Sequence, residues 1–102
     1  MPVSMRVIYP VMDGTAFNHD YYRETHMTLV AEHMGDHIQS MVVTRGLAGS
    51  PDVPPGFFAV ATFVFEDQQT MAAALSKAGP VQSDVGNFTN TVPAILIGEV
   101  IA

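Results

Sequence analysis

Nine consecutive residues, Phe57-Phe58-Ala59-Val60-Ala61-Thr62-Phe63-Val64-Phe65, are apolar on both parities apart from one Thr. Aromatic and β-branched residues at this density predict a strand. A strand of an antiparallel sheet with one wet face alternates apolar and polar residues, so this one asks for cover on both sides. Helices can supply one cover. The simplest second cover is the same face of another copy, since twofold homodimers are the commonest soluble oligomers. Composition points the same way: of 102 residues, 48% are hydrophobic and 14% charged, against about 25% charged in an ordinary domain. A single domain spanning 1–102 is too small to hide that surplus alone. A homodimer through the sheet face is therefore expected.

Three further strands are predicted. Met5 to Tyr9 and Ala94 to Ile101 are rich in Val and Ile without helical spacing, and Gln39 to Arg45 contains Met41, Val42 and Val43. The Pro/Gly-rich stretch from Gly49 to Gly56 reads as the long connection of a hairpin. Asn18 or Asp20 can cap a helix running to about Met34, with Gly35 as its stop. Asp67 can cap a second, whose Met71, Ala74, Leu75 and Ala78 keep helical spacing up to Gly79-Pro80. A short turn or helical piece is expected from Val81 to Val85. The order βαββαβ predicts an α+β, ferredoxin-like domain, a four-stranded antiparallel sheet with two helices on one face.

Several function classes are disfavoured by what the chain contains. Four Lys and Arg against ten Asp and Glu give a formal charge of -6, which repels nucleic acid and anionic lipid. With no Cys, thiolate nucleophiles and Cys-ligated metals are excluded. No Gly-rich phosphate loop or Gly-x-Ser-x-Gly elbow occurs. No apolar run approaches a membrane span and the start of the chain lacks a signal-peptide layout, so a cytoplasmic protein is expected.

Chemistry concentrates in residues 20–33. At about 100° per residue, Tyr21, Glu24, Thr25, Thr28 and Glu32 share a solvent arc, while Tyr22, His26, Leu29, Val30 and His33 share the inward one. An inward His26 is either a hydrogen-bonded core residue or a proton-transfer group looking into a cavity. His33 lies on the same arc near the helix end, where the dipole also suits a His. His33 and His37 have chelating spacing, but Gly35-Asp36 interrupts the helix between them, and no metal is expected.

Phe17-Asn18-His19-Asp20-Tyr21-Tyr22 followed by His26, Leu29 and Val30 resembles the signature helix of the EthD-like family, named for ethyl tert-butyl ether degradation. Val7-Ile8-Tyr9-Pro10, Phe63-Val64-Phe65-Glu66-Asp67 and Asn87-Phe88-Thr89-Asn90 extend the likeness over nearly the whole chain. Asn18 stands where Asp is usual, and Thr28 where Pro often follows the His. The resemblance implies a dimeric α+β barrel related to cofactor-free oxygenases, isomerases, cyclases and haem-degrading enzymes. It implies a role in ether or aromatic degradation, with a small hydrophobic metabolite as ligand.

The expected catalytic pair is His26 as acid or base with Tyr22 orienting it or the ligand. The expected ligand wall is Tyr9, Leu29, Val30, His33, Asn87 and Phe88. No cofactor is expected; haem with His26 as axial ligand ranks last, because no basic cluster is available for its propionates. The alternative is a non-catalytic binding or accessory protein with His26 in its core. Arg6 on the central first strand is expected to pair with Glu99 on the last, since a lone buried charge is costly. Asn87 is expected to bond the backbone of a turn in which Phe88 packs.

Overall fold

The computed structural model describes residues 1–102. Its strands are β1 (Val3–Pro10), β2 (Ser40–Arg45), β3 (Phe57–Phe65) and β4 (Ala94–Glu99). A helical stretch between β1 and β2 consists of α1 (His19–Tyr21), a π-helical turn (Tyr22–His26) and α2 (Met27–Met34). Between β3 and β4 come α3 (Gln68–Leu75), α4 (Gly79–Asp84) and a 3-10 turn (Val85–Asn87). The sheet is antiparallel in the order β2-β3-β1-β4. This is the expected α+β, ferredoxin-like arrangement, with β3 bounded as predicted. β1 begins two residues before Met5, and β4 stops at Glu99 rather than Ile101.

Strand alternation decides what meets the helices. Val3, Met5 and Tyr9 of β1 and Ala59, Ala61, Phe63 and Phe65 of β3 are buried on the helix side. Val30, Met34, Ala74 and Ala78 come down on them from the helices. On the outer face Phe58, Val60, Thr62 and Val64 are only half-buried. The edge strands are more open still, with Val42 63% exposed, Ile95 55%, Leu96 57% and Ile97 51%. The apolar surplus therefore lies as much on the two edges as along β3, because the helices cover only the central pair of strands.

The expected Arg6–Glu99 ion pair does not form. The register sets Glu99 opposite Val3 and Arg6 opposite Leu96 and Thr62. Residues opposite one another share a face, so Glu99 goes with Val3 to the helix side while Arg6 stands on the outer one. Arg6 is exposed there and has no carboxylate partner within 4 Å.

Both predicted caps form. Asn18 Oδ1 accepts from the Tyr21 amide at 3.1 Å, and Asp67 Oδ1 accepts from the Thr70 amide at 2.8 Å. Gly79-Pro80, expected to end the second helix, instead opens α4, where Pro's missing N–H costs nothing. The first helix departs from uniform winding: the Met27 amide donates to the carbonyl of Tyr22, five residues back. Thr28, at the position where the family pattern often has Pro, donates its hydroxyl to the Glu24 carbonyl at 2.7 Å.

Candidate functional site

The π turn widens the helix where its chemistry lies, a placement frequent at functional sites. Tyr22 and His26 are both buried, their rings stacked with centroids 5.4 Å apart and planes at 17°. The same widening overturns the expected solvent position of Tyr21, because a fixed 100° step does not hold across an i to i+5 turn. Tyr21 is half-buried and points its hydroxyl at Asp84.

Asp84 closes α4 and is buried at 7% exposure. Its Oδ1 accepts from Tyr21 Oη at 2.6 Å and from Asn87 Nδ2 at 3.0 Å, while Oδ2 lies 3.0 Å from His26 Nδ1. An ionised carboxylate only accepts, so it assigns the neutral imidazole proton to Nδ1 and leaves the lone pair on Nε2. Nε2 has no hydrogen-bond partner in the protein, yet no fully buried side-chain nitrogen or oxygen lacks one. The lone pair must therefore keep accessible space, and His26 lines a cavity.

That cavity holds about 130 Å³ between helices and sheet. Met5, Val7, Ala61 and Phe63 form its floor, Val30 and Met34 part of its roof, and Pro93 and Ile95 its β4 side. Its ionisable groups are His26 and the Tyr9 and Tyr22 phenols; no Lys, Arg, Asp or Glu lines it. Tyr9 and Tyr22 meet edge to face with centroids 5.6 Å apart. Phe88 is buried 4.6 Å from the His26 ring and seals its far side.

Of the expected site residues, Tyr9, Tyr22, His26 and Val30 come together on the cavity wall. Leu29, His33, Asn87 and Phe88 do not line it. The buried line of the helix runs Tyr22, His26, Val30, Met34, four apart, which leaves Leu29 and His33 half-buried at its margin. Asn87 bonds the Asp84 carboxylate rather than turn backbone. Asp84 escaped the sequence reading, being 58 residues from His26. Its only sequence signal is isolation, as the one acidic residue between Asp67 and Glu99.

No cluster of three metal-ligating side chains exists. Haem does not suit His26 either, because the space in front of Nε2 takes one ring and a tetrapyrrole would have to displace the walls.

Burial lowers the His26 pKa, and Asp84 offsets only part of this. Burial alone would raise the Asp84 carboxyl, but Tyr21, Asn87 and His26 together hold it below its ordinary value. Burial pushes the Tyr9 phenol up to about 12, partly offset by the Tyr22 hydroxyl. Below about pH 6.5 the unfolded chain takes up a proton at His26 that the native state resists, so stability falls with acid and falls further as Asp84 is protonated. Above about pH 10 an unfolded Tyr9 ionises while the native one stays neutral, so stability falls again. Urea midpoints across pH should trace this plateau; an unchanged midpoint from pH 7 to 5 would contradict the buried neutral His26.

A family model described as "EthD domain" matches residues 10–91. Similar solved structures include an EthD-like protein from Ralstonia eutropha, 32% identical, covering 99% of this chain and 93% of that chain at a TM-score of 0.88. An ethyl tert-butyl ether degradation (EthD) family protein from Bacillus halodurans is 21% identical, with 99% and 100% covered and a TM-score of 0.76. SnoaB, a cofactor-independent oxygenase from Streptomyces nogalater, shares the fold at 12% identity, with 99% and 94% covered and a TM-score of 0.70. No curated protein matches the chain.

Proposed function

Because this chain belongs to the EthD domain family, we propose that it acts on a small hydrophobic metabolite by cofactor-independent proton transfer at His26. One observation carries the reading: a buried imidazole held through Nδ1 by a buried carboxylate, with Nε2 facing an apolar cavity. Nε2 takes a proton from the substrate and becomes an imidazolium, which Asp84 stabilises across the 3.0 Å contact. Returning that proton to another atom of the substrate completes an isomerisation or starts a cyclisation. An oxygenation needs the same first step and then O2 as co-substrate. Tyr22, stacked on the imidazole, holds the plane of the ring. Asp84 is a positioning residue: it touches His26 and lies off the cavity wall.

The protein works as a homodimer in this reading, joined through the outer sheet face. Val42, Phe58, Val60 and Leu96 share that face with Arg6, incompletely buried in the single chain. At roughly 25 cal/mol per Å² of apolar surface, covering a few such side chains is worth several kcal/mol. No helix is long and apolar enough to cross a membrane, and we place the protein in the cytoplasm.

The decisive variant is His26→Ala. With a substrate found by screening small hydrophobic metabolites, turnover should fall by about 10²-fold or more, the usual worth of a positioned acid–base group. Equal turnover by the variant sinks the assignment.

A further inference from the structure

We infer that the His26 cavity selects a neutral, single-ring weak acid of the phenol or enol type, and refuses the carboxylate of the same size. The inference rests on the reading of this cavity as the ligand site. It adds three properties of the ligand, each from a separate feature of the wall.

Size comes from volume. About 130 Å³ is close to an engineered protein cavity of roughly 150 Å³ that takes up benzene. One six-membered ring fills such a space; a fused second ring has to leave it or push the walls apart.

Hydrogen-bond polarity comes from Asp84. Because the carboxylate claims the Nδ1 proton, Nε2 presents a lone pair and can only accept. A ligand must therefore bring a donor to that point. A phenolic or enolic O–H does so, whereas a hydrocarbon leaves Nε2 unsatisfied and a carboxylate sets one acceptor against another.

Charge comes from the distribution of cations. Arg6 lies on the outer sheet face. Arg23 is held in solvent by Asp20 and Glu24. Arg45 lines an adjoining groove together with His19 and Arg23, on the other side of Tyr22 and Met27, and Lys77 is exposed. None of the four reaches the cavity. The nearest formal charge behind its wall is the Asp84 carboxylate, since burial keeps His26 neutral. An anion entering would be desolvated, would find no cation but only the Gln82 amide and the Tyr9 and Tyr22 hydroxyls on the wall, and would be repelled by Asp84. A neutral donor instead keeps its proton and shares it with Nε2 in a hydrogen bond.

Binding tests this without turnover. Protein labelled with 15N in its His rings is titrated at about pH 7.5 with phenol, benzene, benzoate and 2-naphthol, following His26 Nε2 and the amides around the cavity. Phenol, neutral at that pH, should shift Nε2 and bind at least about tenfold tighter than benzene, the worth of one hydrogen bond. Benzoate should bind at least about 100-fold more weakly than phenol, and 2-naphthol no tighter than phenol despite its larger apolar area. Benzoate within tenfold of phenol, benzene equal to phenol, or 2-naphthol tighter than phenol would each overturn the inference. So would phenol binding that leaves Nε2 unmoved, or no phenol binding at all. Any of these leaves the role of His26 in turnover to be decided separately by His26→Ala.

Discussion

Replacing Asp84 by Asn is expected to leave the fold in place and invert the tautomer of His26. The amide keeps an oxygen for Tyr21 and Asn87, but it turns an NH2 toward Nδ1, which can then only accept. The ring proton moves to Nε2, and the atom facing the cavity changes from acceptor to donor. In a serine-protease triad the same Asp-to-Asn change costs about 10⁴-fold in turnover through the wrong tautomer. A loss of about 10³ to 10⁴-fold is expected here, beside a stability cost of about 1–2 kcal/mol for exchanging an ionic acceptor for a neutral one. Ring 15N shifts of His26 report the tautomer without any substrate. A variant still protonated at Nδ1 would show that Asp84 does not set it. The same inversion should narrow the preference for phenol over benzoate, because Nε2–H now meets an acceptor and the Asp84 charge is gone.

Leu96→Arg should convert the proposed dimer to monomer. Leu96 lies on β4 directly across from Arg6 on the outer face, so the variant adds a second cation beside the first, and twofold symmetry doubles it. Like charges brought together at an interface cost several kcal/mol, which weakens association by at least about 10³-fold. The folded monomer should tolerate the change, since Leu96 is 57% exposed. Sedimentation equilibrium at about 10 μM should show a dimer for the wild-type chain and a monomer for the variant, with matching circular dichroism. A wild-type monomer would remove the dimer from the proposal, and a dimeric variant would move the interface away from this face.

Two parts of the molecule differ in how far they were legible. The second helix announces its start through the Asp67 cap. Its end is read less well, because Gly79-Pro80 is as good an opening as a stop and the chain uses it to open α4. That choice swings Asp84 and Asn87 back to the first helix. In that helix the inward position of Tyr22, His26 and Val30 follows from spacing, but Tyr21 does not, since its direction depends on a π turn with no local sequence mark. Arg6 and Glu99 show the same limit in the sheet: their strands are neighbours as expected, yet the offset between them is fixed by the whole hydrogen-bonded ladder.

The sequence by itself determined the order of strands and helices, the caps, the surplus of apolar surface and the inward turn of His26, because each is set by alternation, helical spacing or a side chain reaching its own backbone. Only the tertiary structure decided what His26 can do. The proton on Nδ1 and the free lone pair on Nε2 come from a carboxylate 58 residues away, and the ring-sized space before them from apolar walls that helices and sheet supply together. Contacts at that separation depend on how α4 and β4 carry the chain back across the sheet, and no local pattern records such a path.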